Sequence, residues 1–154
     1  MSNDTMQTVI AGIALLISIF SAIYTYMETK KNRQIGYANI ESTIANDIRA
    51  TENRVADLSV EINEYKETEN ISDKVLESKT LRYSQAIESM LNAYEESCTK
   101  YLDNKIDKIR FKKSYSTSIT QLVEQEDLKK YFDGVQSRYK GILKVYKEWH
   151  DLEK

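Results

Sequence analysis

The N-terminal stretch of the chain is uniformly apolar, whereas the rest of the chain mixes apolar and charged positions. Between Asp4 and Glu28 no charged residue occurs. About 20 apolar residues in a helix, at about 1.5 Å each, cross the roughly 30 Å hydrocarbon core of a bilayer. The pattern therefore predicts a transmembrane helix over residues 8–27, preceded by a short external N-terminus over residues 1–7.

A secretory signal peptide is the main alternative interpretation of this stretch. Such a peptide needs a basic start and a cleavage site with small residues after the apolar run. The start carries Asp4 without any Lys or Arg, and Phe20 and Ile23 occupy the places where small residues are needed. The sequence favours a retained anchor.

The flanks of the predicted span indicate its orientation. Lys30, Lys31 and Arg33 follow the span and no cation precedes it, so we expect the C-terminal side to be cytoplasmic. The chain has one cysteine, Cys98, which cannot form a disulfide within the chain. This agrees with a reducing compartment for the larger part of the protein.

Residues 28–66 show the periodicity of a long amphipathic helix. Ile48, Val55 and Ile62 recur at every seventh residue, with further apolar positions at offsets of three and four. The chain contains no proline, and between the span and this stretch Gly36 is the only weak point. We expect the span to continue into one long helix, with a packing stripe formed by Ile44, Ile48, Val55, Leu58, Ile62 and Tyr65.

The remaining residues, 73–154, have the pattern of several shorter helices. Turn-forming residues precede Asp73, occur at Asp103 and Asn104, and recur at Asp133 and Gly134. Between these turns lie apolar stripes from Leu76 to Leu102, from Ile106 through Ile109 to Val123 with an interruption near Ser114 to Ser118, and from Tyr139 to Trp149. The predicted fold class is all-α, with a small antiparallel helical bundle packed on the long helix.

Small and hydroxyl side chains recur on one face of the predicted span. Such faces let helices approach closely in lipid, which favours a homo-oligomer, although small residues are frequent in any span. A pore is a further interpretation, and with no ionisable residue in the span its gate would be an apolar constriction. The membrane oligomer face consists of Ala11, Ala14, Ser18, Ser21, Ala22 and Thr25.

Basic residues cluster at the predicted start of the third helix. This patch is a candidate site for a phosphate-bearing ligand, nucleic acid or anionic lipid, or else a solvated face that pairs with the acidic first helix. Asp103 and Asp107 interrupt the cations, which disfavours nucleic acid and favours pairing. The patch consists of Lys105, Lys108, Arg110, Lys112 and Lys113.

The residue types needed for catalysis are scarce. His150 is the only histidine and Cys98 the only thiol, so one chain assembles neither a His–Cys metal site nor a Ser-His-Asp relay. The four glycines stand in no phosphate-binding frame, and Cys98 lies on an apolar stripe, where packing is the usual role. We expect no enzymatic activity, no cofactor and no metal.

In architecture the chain resembles small single-span bacterial membrane proteins of phage defence, including oligomeric CRISPR-accessory ones. The resemblance rests on the span, the flank from Thr29 to Arg33 and the helical domain that follows. It implies a bacterial inner-membrane protein that disrupts the membrane or forms a pore, controlled through its cytosolic domain. No arginine lies four to six residues before His150, so ribonuclease activity is not implied. The alternative is a membrane-tethered adaptor that recruits a cytosolic protein.

Overall fold

The chain is helical throughout the part that the computed structural model describes, which comprises residues 3–68, 72–133 and 137–151. No strand occurs within these residues, so the predicted all-α class is confirmed for them. Two compact units are distinguished, unit 1 (Met1–Asn39) and unit 2 (Ile40–Lys154). The helices are α1 (Asn3–Lys66), α2 (Asp73–Leu102), α3 (Lys108–Glu124), α4 (Lys129–Phe132) and α5 (Lys140–His150), with a 3-10 turn (Glu126–Leu128) before α4.

Unit 1 contains the N-terminal part of α1 and buries none of its described side chains. Every residue from Ala11 to Ile35 is exposed, and the large apolar ones among them include Leu15, Ile17 and Phe20. By length and composition α1 is able to cross a membrane in this region. The predicted boundaries at residues 7 and 27 lie inside α1, which runs through both without a break.

Unit 2 is held together by a hydrophobic core to which α2, α3 and α5 contribute most of the residues. Fully buried positions on these helices include Leu91, Ile119 and Ile142. Aliphatic and aromatic side chains interdigitate in this core, and each such residue contributes roughly 1.5–3 kcal/mol by its removal from water. The core extends to Leu128 and Phe132 around the 3-10 turn and α4.

The part of α1 that lies in unit 2 joins the same core with one face. Ile44 and Ile48 belong to the core cluster, and Leu58 and Ile62 are also buried. Val55 and Tyr65 are half-buried. The buried positions recur at three, four and seven residues, so they form one stripe along the helix.

The turn between α2 and α3 follows from a local hydrogen-bond pattern. The Lys105 N–H donates to the Lys100 carbonyl at 2.9 Å and the Asn104 N–H to the Tyr101 carbonyl at 3.1 Å. Asn104 has a φ of 57°, the left-handed conformation that this helix ending requires and that Asn tolerates better than most residues. The Asp107 carboxylate then caps α3 by accepting from the Arg110 N–H at 3.0 Å.

Two details of the sequence prediction are wrong. The helix is not interrupted near Ser114 to Ser118, because α3 continues to Glu124 and is held by the buried Ile119 and Leu122. Ile109 is not part of the apolar stripe, since it lies about 200° around the helix from the buried Phe111 and is 85% exposed. The part of the predicted turn formed by residues 69–71, and Gly134 in the other turn, lie outside the described residues.

Candidate functional site

The residues of the predicted membrane oligomer face all lie on α1 in unit 1. Its members Ala11, Ala14, Ser18, Ser21, Ala22 and Thr25 are all exposed. The Ser18 hydroxyl donates to the Ala14 carbonyl at 2.9 Å, and the Thr29 hydroxyl donates to the Thr25 carbonyl at 2.8 Å. These bonds satisfy the hydroxyl groups within the helix, so neither hydroxyl needs water as a partner. The face is therefore compatible with an apolar environment.

The basic patch is centred on the first turns of α3, and its members have different neighbours. Arg110 pairs with Glu41 of α1 at 2.9 Å, and Lys105 pairs with Asp103 at 3.2 Å. Lys112 and Lys113 are exposed, and Lys108 is half-buried. Within the described residues no ion pair joins any of these three lysines to a carboxylate. The predicted pairing with the acidic first helix is therefore made by Arg110 and not by the lysines.

An aromatic cluster lies beneath two of these lysines. The ring of Tyr101 lies 5.5 Å from that of Phe111 and 5.5 Å from that of Trp149. The Lys108 Nζ lies 4.7 Å from the centre of the Tyr101 ring, and the Lys112 Nζ lies 5.9 Å from that of Trp149. Both distances allow cation–π attraction, which gives these lysines a structural neighbour while their charge stays at the surface.

The polar edge of this cluster is fully bonded. The Tyr101 hydroxyl donates to Glu148 Oε1 at 2.8 Å and accepts from Trp149 Nε1 at 3.0 Å. Burial raises the pKa of the Tyr101 hydroxyl, so the group stays protonated at neutral pH. A neutral, hydrogen-bonded tyrosine of this kind serves packing and orientation rather than proton transfer.

Carboxylates of α1 bind groups on other helices of unit 2. Glu41 Oε1 accepts from the Asp107 N–H at 3.1 Å, in addition to the pair with Arg110. Glu52 accepts from the Tyr94 hydroxyl at 2.6 Å, and Glu61 pairs with Lys79, which lowers the pKa of Glu61. Because the three acceptors lie along α1, they fix α1 in unit 2 at several points.

Glu95 binds the start of α5, and sequence reasoning did not identify it. Its two oxygens accept from the Gly141 N–H at 2.7 Å and from the Ile142 N–H at 2.9 Å. A carboxylate at a helix N-terminus satisfies free N–H groups and meets the positive end of the helix dipole. A Cβ on Gly141 would lie 2.9 Å from Glu95 Oε1, so glycine permits the close approach. The available signal was a carboxylate between the buried Tyr94 and Cys98, together with a glycine at a helix start.

Cys98 and His150, whose residue types most often act in catalysis, are both held in packing contacts. Cys98 is fully buried, and burial raises the pKa of its thiol to about 12. His150 stacks on Tyr146 at 4.4 Å, and its ring nitrogens lie 2.8 Å from the Tyr146 carbonyl and 3.1 Å from the Thr120 hydroxyl. Among the described residues no group of three or more metal-binding side chains occurs. The two residues lie on different helices and form no pair with each other.

A groove lies between α1 and α2 within unit 2. Two adjoining cavities of about 450 Å³ and about 470 Å³ follow it and share Ala50, Thr51 and Ser89. The small side chains leave this groove unfilled, while charged residues stand along it. Those charged residues are Asp47, Arg54, Arg82, Glu96 and Lys100.

Comparisons of the chain with models of protein families, with curated proteins and with solved structures give no match.

Proposed function

We propose that the chain is a non-enzymatic, membrane-anchored homo-oligomer that disrupts a bacterial inner membrane, or forms a pore in it, as an effector of phage defence. The observation that carries the anchor is the exposure of α1, where Leu15 is 63% and Phe20 70% exposed. Soluble proteins rarely leave a contiguous apolar surface of this kind in water, and lipid covers it in a membrane. The anchor spans residues 8–27.

The flanking charges support a cytoplasmic unit 2. Lys30, Lys31 and Arg33 follow the span, and cations next to a span remain on the cytoplasmic side. The inert surroundings of Cys98, with its pKa of about 12, agree with a thiol that has no redox role. Unit 2 would then act as a cytosolic antiparallel bundle that controls the effector.

The small residues of the span support self-association. Ala14 and Ser18 stand one turn apart, and the hydroxyl of Ser18 is satisfied by its own helix, so a second helix is able to approach closely at this face. Several spans gathered in this way carry no charged residue between Asp4 and Glu28, so conduction through them would be poorly selective. Loss of membrane potential is the expected consequence.

A membrane-tethered adaptor is the second candidate. The groove between α1 and α2, with about 450 Å³ in one of its cavities, favours this function because it offers room for side chains of a cytosolic partner. An adaptor needs the anchor and the folded unit 2 but does not depolarise cells.

The test is membrane potential in cells that express the chain. The wild type should depolarise them, and variants lacking residues 8–27 or carrying Leu58→Asp should not, because the effector needs both the span and the folded unit 2. His150→Ala should retain full activity, since neither proton transfer nor metal binding is used. Normal potential with the wild type at high expression and with phage challenge would favour the adaptor. Depolarisation that is lost in His150→Ala while the protein still assembles would indicate an enzyme.

A further inference from the structure

The start of α3 exposes a large aliphatic side chain near three lysines, Lys108, Lys112 and Lys113, that pair with no carboxylate among the described residues. Ile109 is 85% exposed, the highest value among the described large apolar residues of unit 2. Lys112 and Lys113 lie three and four residues further along α3 and therefore on the same face of the helix. An isolated exposed isoleucine is ordinary, but one with lysines one turn away has the composition of a membrane-surface contact.

The carboxylates in this region are already bound to other groups. Asp103 pairs with Lys105, Glu41 pairs with Arg110, and Asp107 caps the helix at the Arg110 N–H. The charges of Lys108 and Lys112 stand over aromatic rings, which orient them without neutralising them. Among the described residues the five cations of the basic patch still outnumber the four nearby carboxylates Glu41, Asp103, Asp107 and Glu148, so the surface around Ile109 keeps a net positive charge.

The position of this surface along the chain is the second observation. Arg110 binds Glu41, and Glu41 is the second residue of unit 2. The chain reaches Glu41 fourteen residues after Met27, where the proposed span ends. Among the parts of unit 2, this end is attached to the span by the shortest length of chain.

From these observations we infer that the α3 membrane contact, formed by Ile109 with Lys108, Lys112 and Lys113, binds the anionic headgroups of the cytoplasmic leaflet. The lysines attract the phosphate groups, and Ile109 adds an exposed apolar side chain to the same surface. Each cation near an anionic surface strengthens such binding by roughly fivefold, and the attraction falls as salt shortens the Debye length. This inference rests on the proposed membrane anchor and adds a second, lipid-dependent contact to it.

The test uses the full chain reconstituted into vesicles, with a fluorophore attached at Ile109→Cys. Cys98 stays unlabelled because it is fully buried and its thiol has a pKa of about 12. Val60→Cys is the matched control, since Val60 is an apolar residue of unit 2 that is 55% exposed. Quenchers attached to lipid headgroups report contact with the bilayer, and flotation of the vesicles reports the anchor independently.

The expected result is that phosphatidylglycerol in the vesicles increases quenching at position 109 several-fold over pure phosphatidylcholine, with little change at position 60. High salt should reverse the increase. The double variant Lys112→Gln with Lys113→Gln should lower the affinity for the anionic vesicles by roughly 25-fold, which is two factors of about five. Equal quenching in both lipids, in chains that float, would overturn the contact while leaving the anchor intact. Chains that do not float would overturn both. Single-stranded RNA could instead change the fluorescence of the label at position 109 in neutral vesicles, while phosphatidylglycerol has no effect. That result would assign the surface to nucleic acid and would also overturn the inference.

Discussion

The helix α1 has two regions with opposite relations to their surroundings. From Ala11 to Met27 its side chains are exposed on every face, although most of them are apolar. From Ile44 to Ile62 only one face is buried, and that face holds the large apolar residues other than Val60. The same backbone geometry therefore accommodates two kinds of sequence, and the difference lies in what covers the helix.

The polar groups of the two regions differ in the same way. In the first region Ser18 bonds only its own helix, through the Ala14 carbonyl. In the second region Glu52 and Glu61 bond groups on α2, and Glu41, just before that region, bonds Arg110 of α3. Hydroxyls bond their own helix in both regions, as Thr51 does with the Asp47 carbonyl at 3.0 Å, so the regions differ in the charged groups, which in the second region stand at the edge of the buried stripe and fix its neighbours.

The largest effect is expected from a charge placed in the buried stripe of α1. Leu58→Asp should destabilise unit 2 by about 3–5 kcal/mol, because Leu58 is 2% exposed and an unpaired carboxylate would be buried there. Val60→Asp is the matched control two residues away, where the side chain is 55% exposed and the expected change is within about 0.5 kcal/mol. Thermal melting followed by circular dichroism in detergent measures both. Equal melting of the two variants would mean that α1 does not contribute to the core.

The second prediction compares a glycine from each region of the chain. Gly141→Ala should destabilise unit 2 by about 1–3 kcal/mol, because the new Cβ would meet Glu95 Oε1 at 2.9 Å. Gly36→Ala in unit 1 meets nothing within 4 Å and should stabilise the helix by about 0.5–1 kcal/mol. Chemical denaturation of the two variants provides the measurement. A neutral Gly141→Ala would show that the bonds of Glu95 to α5 relax without cost.

The sequence predicts the buried stripe better than the polar contacts, for a physical reason. Helical spacing alone identifies Ile48 and Ile62 as residues of one face, because periodicity is a property of a single segment. The bonds of Glu95 to Gly141 and Ile142 join positions 46 and 47 residues apart, and no local pattern encodes them. A polar side chain is able to bond several partners, and only the packing of the helices decides which partner it meets.

The errors around α3 have the same origin. Ile109 and Phe111 are both apolar, and only the orientation of α3 in the core decides which of them is buried. The serines and threonines from Ser114 to Ser118 lower helix propensity slightly, but the buried Ile119 and Leu122 outweigh that effect. The basic patch was located by composition, whereas the aromatic rings beneath Lys108 and Lys112 required the fold.

The third prediction concerns the exposed region. Ser18→Leu should weaken self-association by about 1–2 kcal/mol, since the larger side chain prevents close approach of a second helix at the small face. Ile17→Leu is the control, because it keeps the side-chain volume on a neighbouring face of the same turn. Crosslinking in membranes over a range of expression levels measures the difference. Equal crosslinking yields for both variants would exclude the membrane oligomer face as the interface between copies.

The smallest expected effect sharpens the contrast in polar bonding. Tyr94→Phe removes the hydroxyl that donates to Glu52 Oε1 at 2.6 Å and should cost about 1 kcal/mol, a modest loss because Glu52 is exposed and regains water. Tyr146→Phe, which removes an exposed bond to Glu124 at 2.8 Å, should change stability by less than about 0.5 kcal/mol.

Burial raises the pKa of Tyr94 above its ordinary value of 10.0, so the hydroxyl ionises more readily in the unfolded chain than in the folded one. The wild type should therefore lose stability as the pH rises above about 10, and Tyr94→Phe should lose less. Denaturation of the wild type and of Tyr94→Phe between neutral and alkaline pH tests this, and parallel curves would show that folding does not raise the pKa of Tyr94.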